Sequence, residues 1–145
     1  LVRLYPLGDA AAPTERVERR VEPADAPPSL RVLIVEDDEA VGTGLGWVLE
    51  GEDMDVRVVT TGAAVMPAIA ERRPDVIVLD LSLPDEDGRC IYQRIASEHS
   101  IPVIFSSGHA TEDDLEDLLK KPQAAFLMKP YRTEDLLRVI RSLTR

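Results

Sequence analysis

Residues 75–88 read DVIVLDLSLPDEDG, and this stretch decides the fold. Val76–Leu79 is an unbroken run of β-branched and aliphatic residues. It is too short for a helix and lacks the polar alternation of a half-exposed strand. A strand covered on both faces, as in a parallel sheet, is the reading that remains. Asp80 ends the run, and Pro84 and Gly88 punctuate the loop after it. Arg89–Glu98 then reads as a helix, so the unit is strand, loop, helix.

The same unit recurs on both sides. Arg31–Val35, Val56–Val59 and Val103–Phe105 are further apolar runs rich in Val and Ile, and Ala125–Met128 is a weaker fifth. Helical segments alternate with them: Ala40–Glu50, a segment within Gly62–Arg73, Glu112–Lys120 and Glu134–Leu143. Thr111 and Thr133 are expected N-caps, each followed by acidic residues that suit the positive helix end. Pro74, Pro102 and Pro122 are expected to stop helices just before strands. Gly42, Gly44 and Gly46 weaken the first helix by up to about 1 kcal/mol each relative to Ala. Pro67 is expected to kink or shorten the second. Five β-α repeats in about 115 residues predict an α/β domain of three layers, a doubly wound (βα)5 flavodoxin-like fold with strand order 2-1-3-4-5.

Composition bounds the partners. The chain has 145 residues, a net charge of -10 and one cysteine. From Leu30 onward, 13 basic residues face 22 acidic ones. So acidic a surface repels nucleic-acid phosphates and anionic lipid heads, so neither nucleic acid nor direct membrane contact is expected. No apolar run approaches the roughly 20 residues of a membrane helix, and the first residues lack a signal-peptide pattern. The lone Cys90 fits a reducing, cytoplasmic setting. Residues 8–29, GDAAAPTERVERRVEPADAPPS, bury too little to repay their ordering and read as a linker. Residues 1–7 read as a strand fragment of a preceding domain, and 30–145 as the folded domain.

In open α/β sheets, sites form beyond the carboxyl ends of the strands. Strand 1 is followed by Glu36, Asp37, Asp38 and Glu39, strand 3 ends in Asp80, strand 4 in Ser106 and Ser107, and strand 5 in Lys129-Pro130. Taken singly, each has a plain reading as a solvated loop, a turn former or a surface lysine; together they fall at consecutive sites of one crevice. In the 2-1-3-4-5 order Asp37 and Asp80 face each other. Two such charges about 4 Å apart cost roughly 4 kcal/mol at an effective dielectric near 20. A proton, a metal ion or Lys129 has to offset that. Hard oxygens on rigid strand ends suit Mg²⁺. Asp37 and Asp80 are expected as direct ligands, Glu36 through a water, and the backbone carbonyl of Ser82 as a further oxygen. A phosphoryl group reaching this crevice would find Lys129 and the Ser107 hydroxyl for its oxygens and Asp80 as nucleophile.

These motifs resemble the bacterial receiver domain family of two-component signalling, over Leu30–Arg145. VLIVEDDEA (32–40) resembles its first strand and acidic pair, which implies that Glu36 and Asp37 serve the metal. DVIVLDLSLPDEDG resembles its phosphoacceptor segment, which implies phosphorylation of Asp80. IPVIFSSGHA (101–110) resembles the fourth strand and its switch hydroxyl, placing that role on Ser107; FLMKPY (126–131) resembles the fifth strand, with Lys129 before a Lys–Pro bond that is often cis in the family. The resemblance implies a phosphohistidine-bearing kinase or phosphotransferase as partner, with a homodimer left open. It implies a switch in which the Ser107 hydroxyl moves toward the phosphate and the ring of Phe126 turns inward. Phe126 lacks a tyrosine hydroxyl, and fixed core is its other reading. Ser82 and His109 stand where the family tunes hydrolytic water. LVRLYPLGD (1–9) resembles the closing strand of a histidine kinase ATP-binding domain, which implies a hybrid histidine kinase; a free-standing single-domain response regulator is the alternative.

Three rivals are weighed against this. A haloacid-dehalogenase-like phosphatase needs a general-acid Asp where Ser82 stands. A flavodoxin-like FMN carrier needs a Ser/Thr/Gly loop where Glu36–Glu39 would repel phosphate. A non-phosphorylated pseudo-receiver is opposed by the intact set Glu36, Asp37, Asp80, Ser107 and Lys129. Cys90 is expected in buried packing, Trp47 in the core or facing a partner, and Glu112–Asp117 on a solvated helix face.

Overall fold

The computed structural model describes residues 29–144 apart from 110 and 122. The expected strand fragment (1–7), the linker (8–29, save its last residue) and the helix stop at Pro122 lie outside the described residues. The elements run β1 Arg31–Val35, α1 Glu39–Glu50, β2 Asp55–Val59, a 3₁₀ turn Gly62–Ala64, α2 Val65–Glu71, β3 Val76–Asp80, α3 Gly88–Glu98, β4 Val103–Ser107, α4 Glu112–Leu119, β5 Ala124–Met128 and α5 Thr133–Leu143. The sheet order is β2-β1-β3-β4-β5, as the sequence predicts. Every neighbouring pair is parallel, with Val32 opposite Val76, Leu79 opposite Phe105 and Phe105 opposite Phe126.

Alternation along each strand divides the core in two. Leu33, Val35, Ile77, Leu79, Val103 and Phe105 face one side and bury Val65 and Ile69 of α2, Ile91 and Ile95 of α3, and Leu118 of α4. Val32, Ile34, Val76, Val78 and Ile104 face the other and bury Leu49 of α1 with Leu136 and Ile140 of α5. That pairing of helices explains why β3 is buried along its whole length. Each fully buried aliphatic side chain contributes roughly 1.5–3 kcal/mol. Phe105, wholly buried, meets the ring of Tyr92 at 5.2 Å between centroids; its truncation to Ala would cost about 3–5 kcal/mol.

Gly42 of α1 has a packing reason, whereas Gly44 stands in open space. A Cβ on Gly42 would lie 2.8 Å from Val58 Cγ1, so the helix approaches β2 more closely than any larger residue allows. Pro67 is the third residue of α2, in the first turn, where its missing N–H removes no helical bond. The helix is short, seven residues, as expected. Thr111 does cap α4, in a reciprocal capping box with Asp114.

Two expectations are corrected. Thr133 does not cap α5: it is the first helical residue, and Arg132 holds the cap position without a side-chain cap bond. The acidic Glu134 and Asp135 are left to complement the helix end by charge alone. Cys90 is exposed, because Ile91, Tyr92 and Ile95 take the buried stripe of α3. Trp47 is 71% exposed, which removes the core reading and leaves the partner-facing one. Among the described residues, no helix is long and apolar enough to cross a membrane.

Candidate functional site

The carboxyl ends of β1, β3, β4 and β5 bring the predicted residues to one crevice. β1 delivers Glu36 and Asp37 immediately after Val35, and β3 ends on Asp80. Glu36, Asp37 and Asp80 each offer a carboxylate oxygen, and these three atoms lie within 4.8 Å of one another. Glu36 and Asp80 are 4% exposed, whereas Asp37 is open to solvent.

Lys129 enters from the end of β5. Its ammonium donates to Glu36 Oε1 at 2.8 Å and to Asp80 Oδ2 at 3.1 Å. The backbone N–H of Lys129 bonds the Ser107 carbonyl at 2.9 Å, which extends the β4–β5 ladder into the site. The Lys129-Pro130 peptide is cis. The second oxygens are held by backbone: Asp80 Oδ1 accepts from Ser82 N at 2.9 Å and Glu36 Oε2 from Asp38 N at 3.3 Å. Asp38 itself caps α1, accepting from the N–H groups of Ala40 and Val41.

Charge in this crevice does not balance. Three carboxylates meet one ammonium. Burial pushes the Glu36 carboxyl up, the Lys129 hydrogen bond pulls it down, and neighbouring Asp80 pushes it up again, for a net rise. Burial works against the Lys129 charge, but its bonds to Glu36 and Asp80 outweigh that and hold the ammonium above its ordinary value. The Glu36 rise is mainly the cost of burying its charge, whereas the Lys129 rise shows the two carboxylates holding a cation between them. Hard oxygen donors with two negative charges in excess are the donor set that a small divalent cation such as Mg²⁺ takes. Tyr131, just past the Lys–Pro bond, feels the same groups; burial pushes its phenol up.

The other predicted residues lie around this centre. Ser107 is buried at the end of β4, and its Oγ accepts from His109 N at 3.0 Å. Ser82 is in the β3–α3 loop, paired across it with Asp87 in an isolated antiparallel bridge. His109 is exposed at the β4–α4 turn. Phe126 is half-buried at mid-strand, packed against the α2–α3–α4 side of the core. It is thus set back from the carboxylates, beside Phe105.

Sequence reasoning passed over two contacts. Arg89, in the first turn of α3, forms an ion pair with Asp114 of α4, tying the two helices together. Asp85 accepts hydrogen bonds from the turn after β2. Neither pairing has a local signature, because the partners are 25 and 22–23 residues apart.

Residues 32–141 match the family model described as the response regulator receiver domain. Among curated proteins, the sensory transduction protein RegX3 of Mycobacterium bovis is 32% identical over 114 residues, which are 79% of this chain and 50% of that one. The DNA-binding response regulator MtrA of Mycobacterium tuberculosis is 29% identical over 115 residues, with 79% and 50% covered. The chain therefore spans about half the length of these relatives. Among solved structures, the BeF3-activated N-terminal receiver domain of Klebsiella pneumoniae RstA superposes with a TM-score of 0.74 at 27% identity, covering 79% of this chain and 98% of that one. A CheY-like receiver domain protein of Methanospirillum hungatei gives 0.74 at 26% identity, covering 79% and 93%. With the sheet order, the acidic cluster and the family match in agreement, this chain belongs to the response regulator receiver domain family of two-component signalling.

Proposed function

We propose that Asp80 accepts a phosphoryl group from the phosphohistidine of a kinase or phosphotransferase partner. One observation carries this reading: the Lys129 ammonium is shared by buried Asp80 and Glu36, with Asp37 alongside. An Asp80 oxygen attacks phosphorus, the N–P bond breaks, and its electron pair leaves with the imidazole. The product is an acyl phosphate on Asp80. The transition state spreads charge over three phosphoryl oxygens. Lys129 takes one and the Ser107 O–H turns to another. Glu36, Asp37, Asp80 and the Ser82 carbonyl are the groups that would hold Mg²⁺. Bound there, Mg²⁺ supplies positive charge and a Lewis-acid contact to a phosphoryl oxygen.

The phosphoryl group adds about -1.5 to -2 charges and three acceptor oxygens to a crevice already negative. It draws the Ser107 hydroxyl away from His109 N, and the turn into α4 follows. Phe126, half-buried on the adjoining strand, turns inward to fill the space released, or stays as fixed core, its other reading. The face formed by α4, β5 and α5 is then the one a downstream partner reads. Ser82 and His109 flank the acyl phosphate and set the access of water. A cytoplasmic site of action agrees with the single exposed cysteine.

For the parent chain we retain the hybrid histidine kinase reading, with 1–7 closing a preceding domain, 8–29 as linker and 30–145 as receiver. Its support is the motif LVRLYPLGD. The curated relatives bear the names of a response regulator and a sensory transduction protein, but the match covers half of each, so they favour neither the hybrid kinase nor the alternative of a free-standing single-domain response regulator. The length and content of the parent gene decide between them.

Labelling with acetyl phosphate tests the acceptor. Asp80→Asn should remove the label completely; label persisting on the variant would place the acceptor elsewhere. Beryllofluoride with Mg²⁺ should shift the backbone signals of Ser107 and Phe126, and unmoved signals would favour a non-phosphorylated interaction module.

A further inference from the structure

The loop Leu81–Asp87 carries the two groups the site depends on after the β3 carboxylate, the Ser82 N–H and the Ser82 carbonyl. Its base is set by close packing: a Cβ on Gly88 would lie 2.8 Å from Leu81 Cα and 3.0 Å from the Asp80 carbonyl oxygen. Leu83 anchors its middle in the core. Its outer half is tied by Asp85, whose Oδ1 accepts from Gly62 N at 2.9 Å and Oδ2 from Ala63 N at 3.2 Å.

Those two N–H groups open the 3₁₀ turn that leads into α2. Thr61 holds the cap position there and makes no side-chain cap bond. A helical start without a cap leaves its first N–H groups unsatisfied. Asp85 supplies both acceptors from a different loop, and its negative charge suits the positive end of the turn. The carboxyl responds as expected of such a cap: the Gly62 N–H bond holds it below its ordinary value. Gly62 is what allows the approach. A Cβ there would lie 2.8 Å from Glu86 Oε1 and 2.8 Å from Ile91 Cδ1. Two loops thus close on each other at the point where neither could carry a larger backbone neighbour.

We propose that Asp85 is a positioning residue for the metal and phosphoryl site: by bonding the backbone of Gly62 and Ala63, it fixes the loop that presents the Ser82 carbonyl and orients Asp80. The link is direct, since Ser82 N donates to Asp80 Oδ1 at 2.9 Å. The proposal rests on the phosphoacceptor reading above. Asp85 touches no substrate itself; it acts through the loop, as outer groups do in orienting the donors of a metal site.

The test is Mg²⁺ titration calorimetry on the full chain, with amide hydrogen exchange as a second readout. Asp85→Asn keeps the shape of the side chain but sets an NH₂ against one of the two N–H groups. It should weaken Mg²⁺ binding roughly 10-fold, the lower end of what loss of an orienting group costs. It should also speed exchange at Gly62, Ala63 and Ser82. Gly62→Ala attacks the same contact from the other loop and should act in the same direction. Arg94→Gln removes the exposed ion pair that the same loop makes through Glu86, and should leave Mg²⁺ affinity unchanged. Asp85→Asn binding Mg²⁺ as tightly as the wild type overturns the proposal, whatever happens to the melting temperature. Equal weakening by Arg94→Gln also overturns it, because any tether would then serve. A wild type that takes up no Mg²⁺ sinks the phosphoacceptor reading itself, and this inference with it.

Discussion

The two ends of the sheet carry comparable numbers of charged residues and use them in opposite ways. At the amino ends of β1 and β2, Arg57 pairs with Glu71 and Arg72 with Asp55, while the Arg31 N–H bonds Asp75. Arg31, Asp55, Arg57, Glu71 and Arg72 line an open cleft of about 350 Å³, and the paired side chains are one-third to two-thirds exposed. At the carboxyl ends, Lys129 is shared by two carboxylates that are nearly buried, with a third beside them. The first end is balanced one to one and wet. The second is unbalanced and half dry. Charge by itself marks neither a site nor its absence; a deficit of positive charge held in place by rigid strand ends marks one.

Changes at the carboxyl end should therefore be large and of both signs. Lys129→Met leaves Glu36 and Asp80 facing each other without an ammonium. It should destabilise the domain at neutral pH by about 2–3 kcal/mol, less than a fully buried broken pair because the crevice admits water. Urea denaturation without Mg²⁺ reads this, and an unchanged midpoint would break the contrast between the two ends. Asp37→Asn works the other way. Removing one carboxylate from an unbalanced cluster should raise stability by about 1 kcal/mol in the absence of Mg²⁺. The advantage should disappear when Mg²⁺ is added, since the wild type then gains by binding.

The amino end should respond weakly. Glu71→Gln removes the carboxylate of an exposed pair and should change stability by less than about 1 kcal/mol, with the difference fading at high salt. A larger loss would show that this edge is more than a solvated border. The smallest effect is expected at Asp114, where a half-buried one-to-one pair with Arg89 joins α4 to α3. The Thr111 N–H first, and Arg89 with it, holds that carboxyl below its ordinary value. A depressed folded value means that the contribution is complete above the unfolded carboxylate pKa and is lost as pH falls through the folded one. Asp114→Asn should therefore flatten the acid limb of the stability curve, followed by urea midpoints from about pH 5 to 2, and leave neutral-pH metal binding alone.

Much of this was legible before any coordinates. The continuous apolar runs of β1, β3 and β4 could only be strands buried on both faces, and each was followed by its chemistry: Glu36-Asp37, Asp80, Ser107. Lys129 was readable because it stands where a fifth strand must end. What failed was local inference about which face a residue presents. Thr133 has the composition of a cap, yet the chain enters α5 one residue earlier. Cys90 lies on α3 one position away from its buried stripe. Gly42 looked like a weak point in α1 and is instead the place where the helix meets Val58. Asp85 has no local signature at all and bonds a helical turn 22 residues away.

The amino-acid sequence by itself determined the layered α/β architecture, the strand order and the identity of the residues at the carboxyl edge. Periodicity, chain connectivity and handedness narrow the strand order to a few, and likeness to flavodoxin-like folds picks one of them. The tertiary structure alone decided that Lys129 divides its ammonium between Glu36 and Asp80, that Asp37 stays wet while they are buried, and that Asp85 reaches the backbone of Gly62 and Ala63. Such outcomes depend on distances between groups far apart in the chain, where energies change steeply over an ångström and no local pattern records them.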